Sequence, residues 1–173
     1  MRKNEIKKLT LSAMFLAMAF IMPFLTGQIP QIGSMLCPMH IPVLLCGFFC
    51  GVPWGIGVGF IAPLLRSIIL GMPPMFPKAF CMAFELATYG FIAGFLYNKL
   101  PKKKINVYVS LISAMVIGRL VWGFVMFGCM GFDISQFGLS AFLAGAVLNA
   151  IPGIVIQIIF IPIVVIALEK AVN

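Results

Sequence analysis

Lys78-Ala-Phe-Cys-Met-Ala-Phe-Glu-Leu-Ala-Thr-Tyr-Gly-Phe-Ile-Ala-Gly-Phe-Leu-Tyr97 runs from one basic residue almost to the next, Lys99, with Glu85 as its only carboxylate. About 20 mainly apolar residues suffice for a helix to cross a bilayer, so this stretch reads as a membrane span. A carboxylate placed in hydrocarbon costs from about 2.5 kcal/mol upward, which makes Glu85 a functional-site candidate. The rest of the chain has the same character: of 173 residues, 62% are apolar and only 9% charged, with a mean hydropathy of +1.15. Globular domains carry about a quarter charged residues, so most of this surface is built to meet lipid. That excludes a nucleic-acid reader, an extracellular disulfide scaffold and a cytosolic enzyme.

Six spans are expected: Leu9 to Thr26, His40 to Gly51, Trp54 to Leu70, Lys78 to Tyr97, Asn106 to Met130, and Phe137 to Leu168. The second and third are divided by a tight turn placed at Val52 and Pro53, inside a block interrupted by Gly47, Gly51, Gly55, Gly57 and Gly59. The basic residues fall at one side of this arrangement. Arg2, Lys3, Lys7 and Lys8 open the chain, Lys99, Lys102, Lys103 and Lys104 follow the fourth span, and Lys170 follows the sixth. Lys/Arg-rich ends lie in the cytoplasm, so an all-α bundle of six transmembrane helices with both termini cytoplasmic is expected, a single domain over 1–173. No small-x-small cleavage site follows the first apolar run, which therefore reads as a mature helix.

Two external connections look like lids at the mouth of the bundle: Gly27 to Met39, and Gly71-Met-Pro-Pro-Met-Phe-Pro77, stiffened by three prolines. Below them lie the intramembrane polar residues His40, Arg66, Glu85, Arg119 and Asn149. At a rise of about 1.5 Å per residue, Arg66 sits roughly 7 Å from the outer end of its helix, Glu85 roughly 11 Å, and Asn149 and Arg119 roughly 16 to 18 Å. This shared depth outlines a pocket open to the outside. Arg66 and Glu85 either neutralise one another or face that pocket; Arg119 has no second acid to pair with and is the best candidate to meet a ligand. Tyr89, one turn from Glu85, and Trp122, one turn from Arg119, would place rings beside the charges.

Ala13 and Ala17, four apart on the first helix, form a small-residue face that admits a close helix partner, internal or on another subunit. The five cysteines are scattered among apolar residues without a metal-ligand pattern; Cys46 and Cys50 share a helical face but have no accompanying pair. No catalytic or metal site is expected. An intramembrane hydrolase needs a nucleophile with a base or clustered ligands, and His40 is the only histidine. An autonomous channel or exporter is the other class that fits.

At Pro38-Met-His-Ile-Pro-Val-Leu-Leu-Cys-Gly, Gly59-Phe-Ile-Ala-Pro-Leu-Leu-Arg-Ser, Met82-Ala-Phe-Glu-Leu-Ala-Thr-Tyr-Gly, Gly118-Arg-Leu-Val-Trp-Gly and Ala144-Gly-Ala-Val-Leu-Asn-Ala-Ile-Pro-Gly the sequence resembles the substrate-binding S components of energy-coupling factor (ECF) vitamin transporters, nearest the pantothenate-type branch. The pyridoxine and hydroxymethylpyrimidine branches are close by. The resemblance implies an S component in the cell membrane that binds a vitamin from outside with His40, Arg66, Glu85, Tyr89, Arg119, Trp122 and Asn149. It also implies docking through Ala13 and Ala17 on a transmembrane T subunit, with two cytoplasmic ATPase subunits. No cofactor is expected in this chain: it lacks a Gly-x-x-x-x-Gly-Lys-Ser/Thr phosphate loop, so ATP would be used by the partners.

The charge placement makes one direct prediction. A reporter fused into the Lys102–Lys104 loop should read cytoplasmic, and an external reading in the parent protein would overturn the orientation.

Overall fold

The computed structural model describes residues 3–26, 35–133, 138–146 and 148–172, and every described regular element is helical. The proposed lid residues Gln28, Pro30, Gln31, Gly33 and Ser34 lie outside the described residues. Helix α1 spans Lys3–Ile21 and tightens into a 3₁₀ turn, Met22–Thr26, where Pro23 cannot donate an α-helical hydrogen bond. Helices α2 (His40–Cys50) and α3 (Val52–Leu70) follow, then α4 (Phe80–Lys99), α5 (Lys104–Cys129), α6 (Leu139–Ala146) and α7 (Ile151–Val172).

Three expectations need correction. Five helical stretches among the described residues are long and apolar enough to cross a membrane, and α2 is not one of them. Its 11 residues reach about 16 Å, half of a hydrocarbon core of about 30 Å. Ten of the 11 are buried, so α2 is a core helix enclosed by the others. The turn between α2 and α3 is Gly51 alone, at φ +88°, a conformation that Val52 or Pro53 would not supply. Val52 and Pro53 instead open α3, where proline's missing N–H is harmless. The last span stands as one apolar stretch, Leu139–Leu168, but its helix is interrupted at the 3₁₀ turn Leu148–Ala150, because Pro152 has no N–H for the Leu148 carbonyl and its ring would clash there.

Helix α4 is the centre of the bundle, packed against α2, α3 and α5. Its seam with α3 is backbone on backbone: a methyl group on Gly90 would collide with the Gly55 carbonyl, and one on Gly59 with the Leu86 carbonyl. Such contact brings the helix axes together without side chains between them, the usual route to tight association where lipid offers no hydrophobic drive. Buried hydroxyls are satisfied within their own helices, Ser12 donating to the Leu9 carbonyl at 2.9 Å and Ser110 to the Asn106 carbonyl at 2.8 Å. At the lysine-rich end, Lys102 Nζ lies 3.3 Å from the centre of the Tyr97 ring.

Helix α1 turns Ser12, Phe15 and Ala19 inward. Ala13 and Ala17 face away from the bundle, beside the exposed Met14 and Met18. The small-residue face is therefore not used for packing among the described residues.

Candidate functional site

Glu85 and Tyr89 stand one turn apart on the buried side of α4, and the Tyr89 hydroxyl donates to Glu85 Oε1 at 3.1 Å. Helix α5 brings Arg119 to the same oxygen, with Nη1 at 2.9 Å. The first residue of α2, His40, places Nε2 3.5 Å from it and sets its ring edge-on to Tyr89, with centroids 5.3 Å apart. Three helices thus converge on one carboxylate oxygen. Glu85 is 1% exposed, Tyr89 1% and His40 2%.

Local features fix these positions. Gly118 leaves room for the Tyr89 ring, since any side chain there would occupy the same space. The His40 N–H donates to the Cys37 carbonyl at 3.1 Å, which starts α2. Cys37 adopts φ +47° and receives Arg119 Nη2 on its sulfur at 3.4 Å. The charge of the guanidinium is answered by Glu85. Above, the carbonyls of Met35 and Leu36 rest against Gly153 at the start of α7.

The electrostatics are those of a nearly closed ion pair with capacity to spare. A buried carboxylate and guanidinium repay their desolvation only when further hydrogen bonds satisfy them. Here Tyr89 and the His40 Nε2 edge add to the pair, but Arg119 Nε and His40 Nδ1 are buried without a hydrogen-bond partner among the described residues. Leaving such a group unpaired costs about 1–3 kcal/mol. On its other side Arg119 borders a cavity of about 280 Å³ between α5, α6 and α7, lined otherwise by apolar residues such as Met115, Leu120, Phe142, Ile154 and Ile158. The lining is almost wholly apolar, with the charged end of Arg119 engaged by Glu85 and Cys37, and an apolar hollow with a few polar groups close by is the make-up of a small-molecule site.

The structure brings together His40, Glu85, Tyr89 and Arg119, and leaves three other candidates apart. Arg66 does not pair with Glu85: its Nη1 donates to the Phe20 carbonyl at 2.9 Å and its guanidinium stacks on Phe24 at 5.4 Å. The last turn of a helix leaves carbonyls without N–H partners, and Arg66 serves one of them at the end of α1. Accordingly Arg119 is not the unpaired cation that the sequence suggested. Trp122 stacks on Phe142 at 6.4 Å and lies against Gly145, on the seam between α5 and α6. Asn149 is exposed on the turn before α7.

One participant, Cys37, and one further buried polar residue were missed. Gln157 is 1% exposed in the middle of α7 and its Oε1 has no partner among the described residues; an amide amid isoleucines carries the same intramembrane-polarity signal that flagged Asn149. Cys37 carries no such signal, since only the fold brings it over Arg119. Among the described residues no three His, Cys, Asp or Glu side chains gather around a possible metal.

Removing one member of the pair should expose the cost of the other. Glu85→Gln or Arg119→Met should each destabilise the protein by about 3–5 kcal/mol, and the double variant should recover much of the loss in a thermal melt. Equal, additive losses would mean that the two charges do not depend on each other.

A family model described as ECF transporter, substrate-specific component, matches residues 7–165. Neither the curated proteins nor the solved structures yield a match to the chain.

Proposed function

Because the chain belongs to the family of ECF transporter substrate-specific components, a transport family and not an enzyme family, we propose that it binds a vitamin at the Glu85–Arg119 cluster and hands it to an ATP-driven module. Family membership implies a transmembrane T subunit and ATPase modules as partners. The observation that carries the binding site is the convergence of His40, Tyr89 and Arg119 on Glu85 Oε1, with unpartnered nitrogens beside an apolar cavity. In this reading the protein lies in the cell membrane with both termini cytoplasmic, takes its solute from outside, and has no cofactor of its own.

The charge balance supports one class of substrate over another. Arg119 is answered by Glu85, so the pair presents no net charge to a ligand. That supports an uncharged heterocyclic vitamin of the pyridoxine or hydroxymethylpyrimidine type, with ring nitrogen and hydroxyl groups meeting His40, Glu85 and Arg119. Pantothenate, favoured when Arg119 was expected to be free, becomes the second reading. It is supported by the unpartnered Arg119 Nε–H.

Mass spectrometry of the solute that co-purifies with the solitary protein, followed by competition with a panel of vitamins, tests this. A pyridine or pyrimidine alcohol is expected; pantothenate would promote the second reading. Arg119→Ala should weaken binding at least about tenfold, or about 1.4 kcal/mol, and unchanged affinity would remove Arg119 from the site. Flux in liposomes without any ATPase would instead favour an autonomous transporter or channel.

The outward face of α1 fits the partner. Ala13→Trp with Ala17→Trp should abolish uptake while the isolated protein still binds its solute, because bulk there blocks docking and touches no described core contact. Loss of binding as well would return that face to internal packing.

A further inference from the structure

Three sulfur atoms meet where α4 begins and α5 ends. Cys81 Sγ lies 3.8 Å from Cys129 Sγ and 3.9 Å from Met126 Sδ. Met126 and Cys129 are three residues apart on α5 and so share a face. Cys81 is fully buried, Met126 nearly so, and Cys129 half-buried, which leaves a path to the group.

The two separations from the Cys81 sulfur are those of a metal site. An ion bonded to three sulfurs in one plane at about 2.3 Å from each requires sulfur separations of about 4 Å. A disulfide between the same cysteines would need their sulfurs to close to about 2.05 Å and would leave Met126 without a part. The donor set also chooses the ion. No third His, Cys, Asp or Glu joins the two thiols among the described residues, so the third donor is a thioether. Thiolate and thioether ligands select Cu(I) over hard ions, and a set of three donors falls short of the four that a structural Zn²⁺ site takes.

We propose that Cys81, Met126 and Cys129 form a three-coordinate site for a soft monovalent cation, Cu(I) in biology and Ag(I) as its redox-inert substitute. Binding forms three metal–sulfur bonds and releases the two thiol protons to solvent, with no change in oxidation state. The site then holds two thiolates and one cation, a net single negative charge. It joins the two helices that carry the vitamin-site ion pair. Cys81 precedes Glu85 by one turn of α4, and Met126 follows Arg119 by two turns of α5. A bound ion would tie these helices together at their ends.

The test is titration of the intact, detergent-solubilised protein, reduced and then freed of thiol reductant without air, with Cu(I) against a chromophoric Cu(I) chelator and separately with Ag(I). One ion per chain is expected, with a rise in melting temperature. Binding should be lost in Cys81→Ser and in Cys129→Ser and weakened at least tenfold in Met126→Leu. It should be unchanged when Cys46 and Cys50 are both serine. In the unaltered protein, Ag(I) should protect Cys129 from alkylation, a readout that does not depend on any variant folding. Binding that persists without Cys81 or Cys129, binding that vanishes with the Cys46 and Cys50 changes, or Cys129 left fully reactive with Ag(I) bound would each overturn the site.

Discussion

One ion pair decides what the rest of this bundle must do. Glu85 is almost fully enclosed and is answered by Arg119 from the neighbouring helix. In water such a pair would add little, but inside a membrane the carboxylate alone would be prohibitive. Once α4 carries it, α5 must stay in register to within a hydrogen bond. Tyr89 must lie flat enough for its hydroxyl to reach the same oxygen, and α2 must start at the depth where His40 arrives there. The charge therefore fixes the relative height of three helices, something apolar packing in lipid does weakly.

The glycines of the bundle are the counterpart of that constraint. Where α3 meets α4 the backbones touch through Gly55, Gly59 and Gly90, and where α5 meets α4 the bare Gly118 receives the Tyr89 ring. These contacts bring dispersion and weak C–H···O interactions into play at short range. They also leave α6 and α7 on the far side of α5 with a looser fit, and it is there that the cavity opens beside Arg119. Tight packing on one side and slack on the other put the polar cluster at the boundary between the two.

Much of this was legible from the residue types. Long apolar runs bounded by lysines gave the helices, and the cost of polarity in lipid singled out His40, Glu85 and Arg119 before any fold was known. What sequence could not give was pairing. Arg66 and Glu85 seemed natural partners by depth, yet a helix end at Phe20 offers Arg66 a carbonyl that spacing does not reveal. The bounds of α2 were legible, His40 to Gly51, but the turn was set one or two residues late because Gly51, one of several glycines in an unbroken apolar block, is marked as the turn only by its backbone angle. Pro152, by contrast, was a visible helix breaker passed over in favour of one long span. Gln157 was visible too, an amide among isoleucines overshadowed by Asn149.

The shortness of α2 has an electrical consequence. A helix spanning only half the hydrocarbon, with the buried segment from Cys37 to Met39 leading into it, carries non-helical backbone down to membrane depth, where it is tolerated only because protein surrounds it. On the proposed reading, a solute reaching His40 from outside would have travelled part of the way through the transmembrane potential. That field does work of about 2.3 kcal/mol per elementary charge for each 100 mV crossed in full. An anion and a cation would feel it with opposite sign during binding. An uncharged solute would feel none of it, so its occupancy of the recess would be set by concentration alone, whatever the voltage across the bilayer.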